Sequence, residues 1–159
     1  MQAKLFVFLL LFSQILNGQS KSITRFRADH KENTNMFFYK STLQMLNTEN
    51  SPELADMLKD IQEIRVLNYD LKKQRLTGDD IAGLKLAIKA EEYNSLLMMN
   101  DKNNKVDLYN REKRGNTLGF IAVVENGESH TLIDLTGSID VKKFMELKQK
   151  LDVRMGNHP

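Results

Sequence analysis

The residues whose type and spacing could do chemistry are few, and each has a competing structural use. Near the end of the chain "TLIDLTGSIDVKKFMEL" runs from Thr131 to Leu147. An apolar strand-like run breaks at Thr136-Gly137-Ser138, and a helical pattern follows. Strand, glycine turn, helix is also how phosphate-binding turns are built, because free N–H groups at a helix start attract anions. A dinucleotide or P-loop site, however, needs several glycines or a Gly-Lys-Ser/Thr ending. Here one glycine is present, and Asp140 would repel phosphate. Ser138 or Asp140 can instead accept from the free amides of the following helix, and Gly137 tolerates the φ that a tight reversal requires. The stretch therefore reads as a structural corner made of Gly137, Ser138 and Asp140.

"DKNNKVDLYNRE" places Asp101, Asn103, Asp107 and Glu112 at positions 1, 3, 7 and 12 of a calcium-loop count. Position 5 is Lys105, and position 6 is Val106 where the sharp turn needs glycine. Val106 and Leu108 alternate as in a strand, so a hairpin is the reading. His30, His130 and His158 stand far apart, without the close ligand pairs of a zinc site. His130 starts an expected strand beside a turn, which makes it an exposed titrating group. No serine sits in a G-x-S-x-G elbow, and nothing points to a Ser-His-Asp triad drawn from distant positions. Asp79-Asp80 and Glu91-Glu92 are adjacent, and helical neighbours point about 100° apart, so neither is an acid/base pair by spacing. "REKR" (Arg111 to Arg114) and Lys142-Lys143 read as solvated faces. No catalytic residue, metal ligand or cofactor is expected.

The frame around these residues is ordinary. The 159 residues include 41% apolar and 28% charged, with 23 Lys and Arg against 21 Asp and Glu, a formal charge of +2. That fits one domain with its own core, and the balance gives no support to a nucleic-acid partner. Without cysteine there is no disulfide, thiolate site or lipid-modified N-terminal cysteine. The first residues are unlike the rest: Lys4, an apolar run from Leu5 to Phe12 continued by Ile15-Leu16, then Asn17-Gly18-Gln19-Ser20. This is the layout of a secretory signal peptide, too short for a transmembrane helix of about 20 apolar residues. The expected cut falls between Gly18 and Gln19, leaving residues 19–159 as one exported domain, periplasmic or secreted. No other stretch is long and apolar enough to span a membrane.

Periodicity then sets the elements. Ser22 to Asn33 reads as a short amphipathic helix, Asn35 to Lys40 as a strand, and Ser41 to Leu46 as the start of a helical segment. Ser51 caps a helix with Pro52 at its first position. Ile64 to Tyr69 is a strand. Thr77 and Asp80 resemble a capping box ahead of Ile81, Leu84 and Ile88. The period then shifts toward 2. Ser95–Asn100, Lys105–Glu112, Leu118–Val124 and His130–Thr136 read as strands in consecutive hairpins, with Asn126-Gly127 as a type I′ turn. Phe120 to Val124 is apolar on both alternations and reads as central. A last helix runs from about Ile139 to Leu151. The fold expected is α+β: a mostly antiparallel sheet with helices packed on one face.

"GFIAVVENGESHTLIDLTGSIDVKKFMEL" resembles the C-terminal signature of a bacterial family of small exported proteins of unknown function, common in the Bacteroidota. "MFFYKSTLQML" fits the early strand-to-helix block of the same family. The resemblance covers most of residues 19–159 and rests mainly on Leu118 to Leu147. It implies export and this fold, and it supplies no catalytic residues. Many members carry a lipobox cysteine; this chain has none, so no lipid anchor carries over.

Function is therefore expected to lie in a surface. On the strand before the Arg111–Arg114 run, Val106 and Leu108 share one parity and Tyr109 and Arg111 the other. On the last strand Ile133 and Leu135 oppose Leu132 and Asp134. If helices cover the first set, Tyr109, Arg111, Leu132 and Asp134 face water and offer a partner surface. The expected role is a non-enzymatic binding or regulatory domain with an envelope protein as partner, its oligomeric state open. The alternative is a hydrolase with dispersed carboxylates.

Overall fold

The computed structural model describes residues 19–138 except 49, 74, 75 and 103. The leader segment, Asp140, His158 and the helix expected from Ile139 lie outside the described residues. The chain forms α1 (Lys21–Asp29), β1 (Thr34–Tyr39), α2 (Lys40–Met45), α3 (Pro52–Leu58), β2 (Ile61–Asp70), α4 (Gly78–Ala90), β3 (Tyr93–Asp101), β4 (Asn104–Lys113), β5 (Asn116–Asn126) and β6 (Ser129–Gly137). The helix starts are written locally. Ser20 and Ser51 accept from Ile23 N–H and Leu54 N–H, each at 3.3 Å, and Pro52 opens α3. Thr77 and Asp80 close a reciprocal capping box on α4.

All six strands join one sheet in the order β1-β2-β6-β5-β4-β3, every neighbouring pair antiparallel. β5, apolar on both alternations, lies inside the sheet as its pattern implied. The β3–β4 hairpin pairs Asp101 with Asn104 and Met99 with Val106, so the calcium count does fall on a hairpin. The tight turn with two positive φ angles is not at Asn126-Gly127 but at Arg114 (55°) and Gly115 (77°). Asn126 instead holds its own turn by side chain: Oδ1 accepts from Glu128 N–H at 2.9 Å and Ser129 N–H at 2.6 Å. An asparagine side chain that mimics a backbone turn removes the need for positive φ.

The α+β class stands, but the described helices divide between the two faces of the sheet instead of covering one. α2 and α3 bring Leu43, Met57 and Leu58 onto Ile64, Val66, Leu108, Phe120 and Leu135. α1 and α4 bring Ile23, Phe26, Ile81, Leu84 and Ile88 onto Leu67, Tyr69, Tyr109, Ile121, Val123 and Leu132. The reason lies in the strands. β5 is apolar on both alternations, and β2, β4 and β6 each carry apolar residues on both (Ile64 and Leu67, Leu108 and Tyr109, Leu132 and Leu135), so each face needs cover. Each buried Leu, Ile or Phe side chain contributes about 1.5–3 kcal/mol by leaving water.

Candidate functional site

Tyr109, Arg111, Leu132 and Asp134 share one sheet face, as alternation places them, but that face is not open. α1 and α4 cover it: Tyr109 is 2%, Leu132 0% and Asp134 3% exposed. Arg111 is half-buried, with its guanidinium carbon 5.1 Å from the Tyr93 ring centroid. Their exposure was inferred by assigning all helices to the opposite face, and that assignment fails.

Beneath the start of α1, Asp134 belongs to a polar cluster. Ser20 N–H donates to Asp134 Oδ2 at 3.2 Å, and Asp134 Oδ1 is buried without a hydrogen-bond partner. Lys21 N–H donates to Glu91 Oε2 at 3.0 Å and Ser22 N–H to Glu91 Oε1. The Gln19 side-chain amide donates to Glu63. Arg65, cross-strand from Asp134, donates to Thr24 Oγ1 at 3.3 Å and lies over the Phe37 ring. Burial pushes the Asp134 carboxyl up to about 6, against the Ser20 amide and the Arg65 charge, which favour its ionised form. Burial likewise raises the Tyr93 phenol to about 12, with the Asp134 charge adding to it.

A second cluster lies farther along the same face. Lys85 Nζ is 2.5 Å from both Asp107 Oδ2 and Glu125 Oε1. His130, cross-strand from Glu125, is 8% exposed and its Nδ1 has no hydrogen-bond partner. His130 was expected to be exposed. It is buried because it shares the alternation of Leu132, opposite Tyr69 of β2, on the face that α1 and α4 cover. Burial lowers its pKa, and Lys85 lowers it further. Lys85 bridges both carboxylates, so each is engaged by an ammonium and neither stands free as a general base. Among the described residues no group of three His, Cys, Asp or Glu is placed to hold a metal ion.

At the corner, Gly137 has φ 122°. A Cβ there would lie 2.2 Å from the Asp60 carbonyl oxygen, and Ser138 N–H donates to that oxygen at 3.1 Å. The turn is thus laced to the β2 entry by backbone contacts.

What the sheet does leave open is its β3 edge. Leu96 (41%), Met98 (70%) and Met99 (47%) are exposed there, and among the described residues the strand has no neighbour beyond it. From Ser95 to Asn100 there is no charged residue. The run was visible in the sequence as "SLLMMN", but its place at an edge was not. Lys85 escaped notice, and Glu91 was weighed only as the neighbour of Glu92, because each meets its partners only across elements. Among the described residues no helix is long and apolar enough to cross a membrane.

A family model described as a domain of unknown function (DUF4252) matches residues 26–147, and the chain belongs to that family. No curated protein and no solved structure matches it.

Proposed function

Taking a member of the DUF4252 family as the premise, we propose an exported envelope protein that acts without catalysis, by accepting an extended apolar segment of another envelope protein along β3. One observation carries this reading: a nine-residue edge strand with Leu96, Met98 and Met99 exposed and no charge from Ser95 to Asn100. Natural sheets guard such edges with lysine, proline or a bulge that turns the strand away. Here the bulge at Ser95/Leu97 leaves the outer half, Leu97 to Asp101, unguarded. An added strand would gain main-chain hydrogen bonds, and the two methionines would adapt to its side chains. Export is supported by the sequence of residues 1–20.

The test uses a charged edge. Met98→Lys and Leu96→Lys, both at exposed positions, are expected to change stability by less than about 0.5 kcal/mol. They should abolish photo-crosslinking from position 99 to the envelope protein captured by the wild type. Undiminished crosslinking would refute the β3 reading. A crosslink to a second copy, with a dimer in sedimentation, would replace the envelope partner by self-association. The alternative is a hydrolase with dispersed carboxylates; of the buried or half-buried ones, Asp107 and Glu125 are engaged by Lys85, and Glu63, Glu91 and Asp134 hold residues 19–22.

A further inference from the structure

We infer that Glu63, Glu91 and Asp134 form a seat for the chain's own amino terminus, the α-ammonium of Gln19 that removal of the leader would create. The inference rests on the export reading and goes beyond it, because it gives the cut a structural consequence.

Residues 19–22 are already held in this place. Gln19 reaches Glu63, Ser20 N–H reaches Asp134, and Lys21 and Ser22 N–H reach Glu91. Ser20 is fully buried. Consecutive residues are about 3.8 Å apart, so the Gln19 nitrogen lies one residue from an amide already bonded to Asp134. The second observation is Asp134 Oδ1, buried and without a partner on a residue only 3% exposed. A buried carboxylate oxygen in that state is costly and calls for a donor or a cation. The surrounding charges leave room for one cation. Glu63 and Arg65 come from β2, Glu91 follows α4, Asp134 comes from β6 and Arg111 from β4, with the Tyr93 phenol of β3 beside them. That is three carboxylates against two guanidiniums. Burial's upward push on Asp134 agrees with a missing positive partner.

The covalent step is hydrolysis by an export-associated peptidase. Water adds across the Gly18–Gln19 peptide bond. The Gly18 carbonyl carbon takes the hydroxyl and leaves as a carboxylate, and the Gln19 nitrogen gains protons to become an ammonium. With the leader attached, that nitrogen is a neutral amide and cannot act as a cation. The processed chain should therefore hold α1 more firmly than the precursor.

The experiment titrates the amine. The protein beginning at Gln19, its start verified by intact mass, is reductively methylated with ¹³C, which preserves the charge of the amine, and its α-amine signal is followed by NMR against pH. The α-amine is expected to hold its proton at least tenfold more tightly than the ordinary range of about 7.7–8.0 implies. Asp134→Asn should return it to that range and Glu91→Gln should move it part of the way. An ordinary amine pKa in the wild type overturns the seat, whether or not Asp134→Asn folds. So does a native Gln19 found cyclised, with loss of ammonia, to an uncharged lactam. Native protein that retains Met1 overturns the export reading instead, and the intact mass separates the two failures.

Discussion

The two faces of the sheet are built to different rules. Under α2 and α3 the packed side chains are aliphatic or phenyl, with Asn110 as the buried polar residue there. Under α1 and α4 lie Arg65, Asp107, His130 and Asp134, with Ser20 and Ser22 beside them. All six buried side-chain atoms without a hydrogen-bond partner among the described residues are on this second face: Asn35 Oδ1, Arg65 Nε, Tyr69 hydroxyl, Arg111 Nε, His130 Nδ1 and Asp134 Oδ1. An apolar face gains free energy from area alone. A face with buried charge gains only where each charge meets a partner. The first face is therefore expected to supply stability, and the second to respond to charge, pH and processing.

The largest effect should come from the apolar face. Phe120→Ala removes a ring that is 2% exposed and should destabilise by about 3–5 kcal/mol, read as the midpoint of urea unfolding. A loss under 1 kcal/mol would break the contrast between the faces. Next is the ion triad of the other face. Lys85→Met leaves Asp107 and Glu125 without their shared cation. Because Lys85 is partly exposed, the loss should be about 1–3 kcal/mol, less than for a fully buried pair. Adding Asp107→Asn and Glu125→Gln should recover most of it, and a triple variant no better than Lys85→Met would refute the charge explanation.

The pH dependence is also a property of the second face. It is clearest with the amino terminus blocked, so that no α-ammonium reaches Asp134. The folded state raises Asp134 from 3.8 to about 6, so its contribution is present below pH 3.8 and lost as pH rises through about 6. His130 is lowered from 6.5, so its contribution is present above pH 6.5 and lost as pH falls through its depressed value. The two oppose each other under mild acid. His130→Gln should gain stability as pH drops from 7 toward 4, whereas Asp134→Asn should lose it. Parallel profiles for the two variants would contradict both assignments. The smallest effect is Tyr69→Phe. Its hydroxyl is buried without a partner, so removal should cost nothing or stabilise by a few tenths of a kcal/mol. A clear loss in thermal melting would reveal a partner for it.

Much of the fold was legible. Ser51-Pro52 and Thr77 with Asp80 marked two helix starts, because capping is settled within four residues. The four late strands and their hairpins followed from alternation. The turn type at Asn126 did not, since its side chain takes the amides that a type I′ turn would have left to glycine geometry. Alternation put Tyr109, Arg111, Leu132 and Asp134 on one face, but their exposure did not follow from it, because which face a helix covers is decided by its packing, not by its own stripe.

By itself the sequence determined the local things: caps, strand periodicity, the α+β class and the neutrality that gives nucleic acid no support. Each of these depends on residues within a turn or two of one another. Tertiary structure alone decided that β2 crosses to pair with β6, that helices lie on both faces, that "SLLMMN" is an edge, and that Lys85 meets Asp107 and Glu125 while Asp134 meets Ser20. The physical reason is the same in each case. A run apolar on both alternations says that a strand wants cover, and a charge says that it wants a partner. Neither says from where, because strand order and helix placement bring together residues as far apart as Ser20 and Asp134 that no local pattern connects.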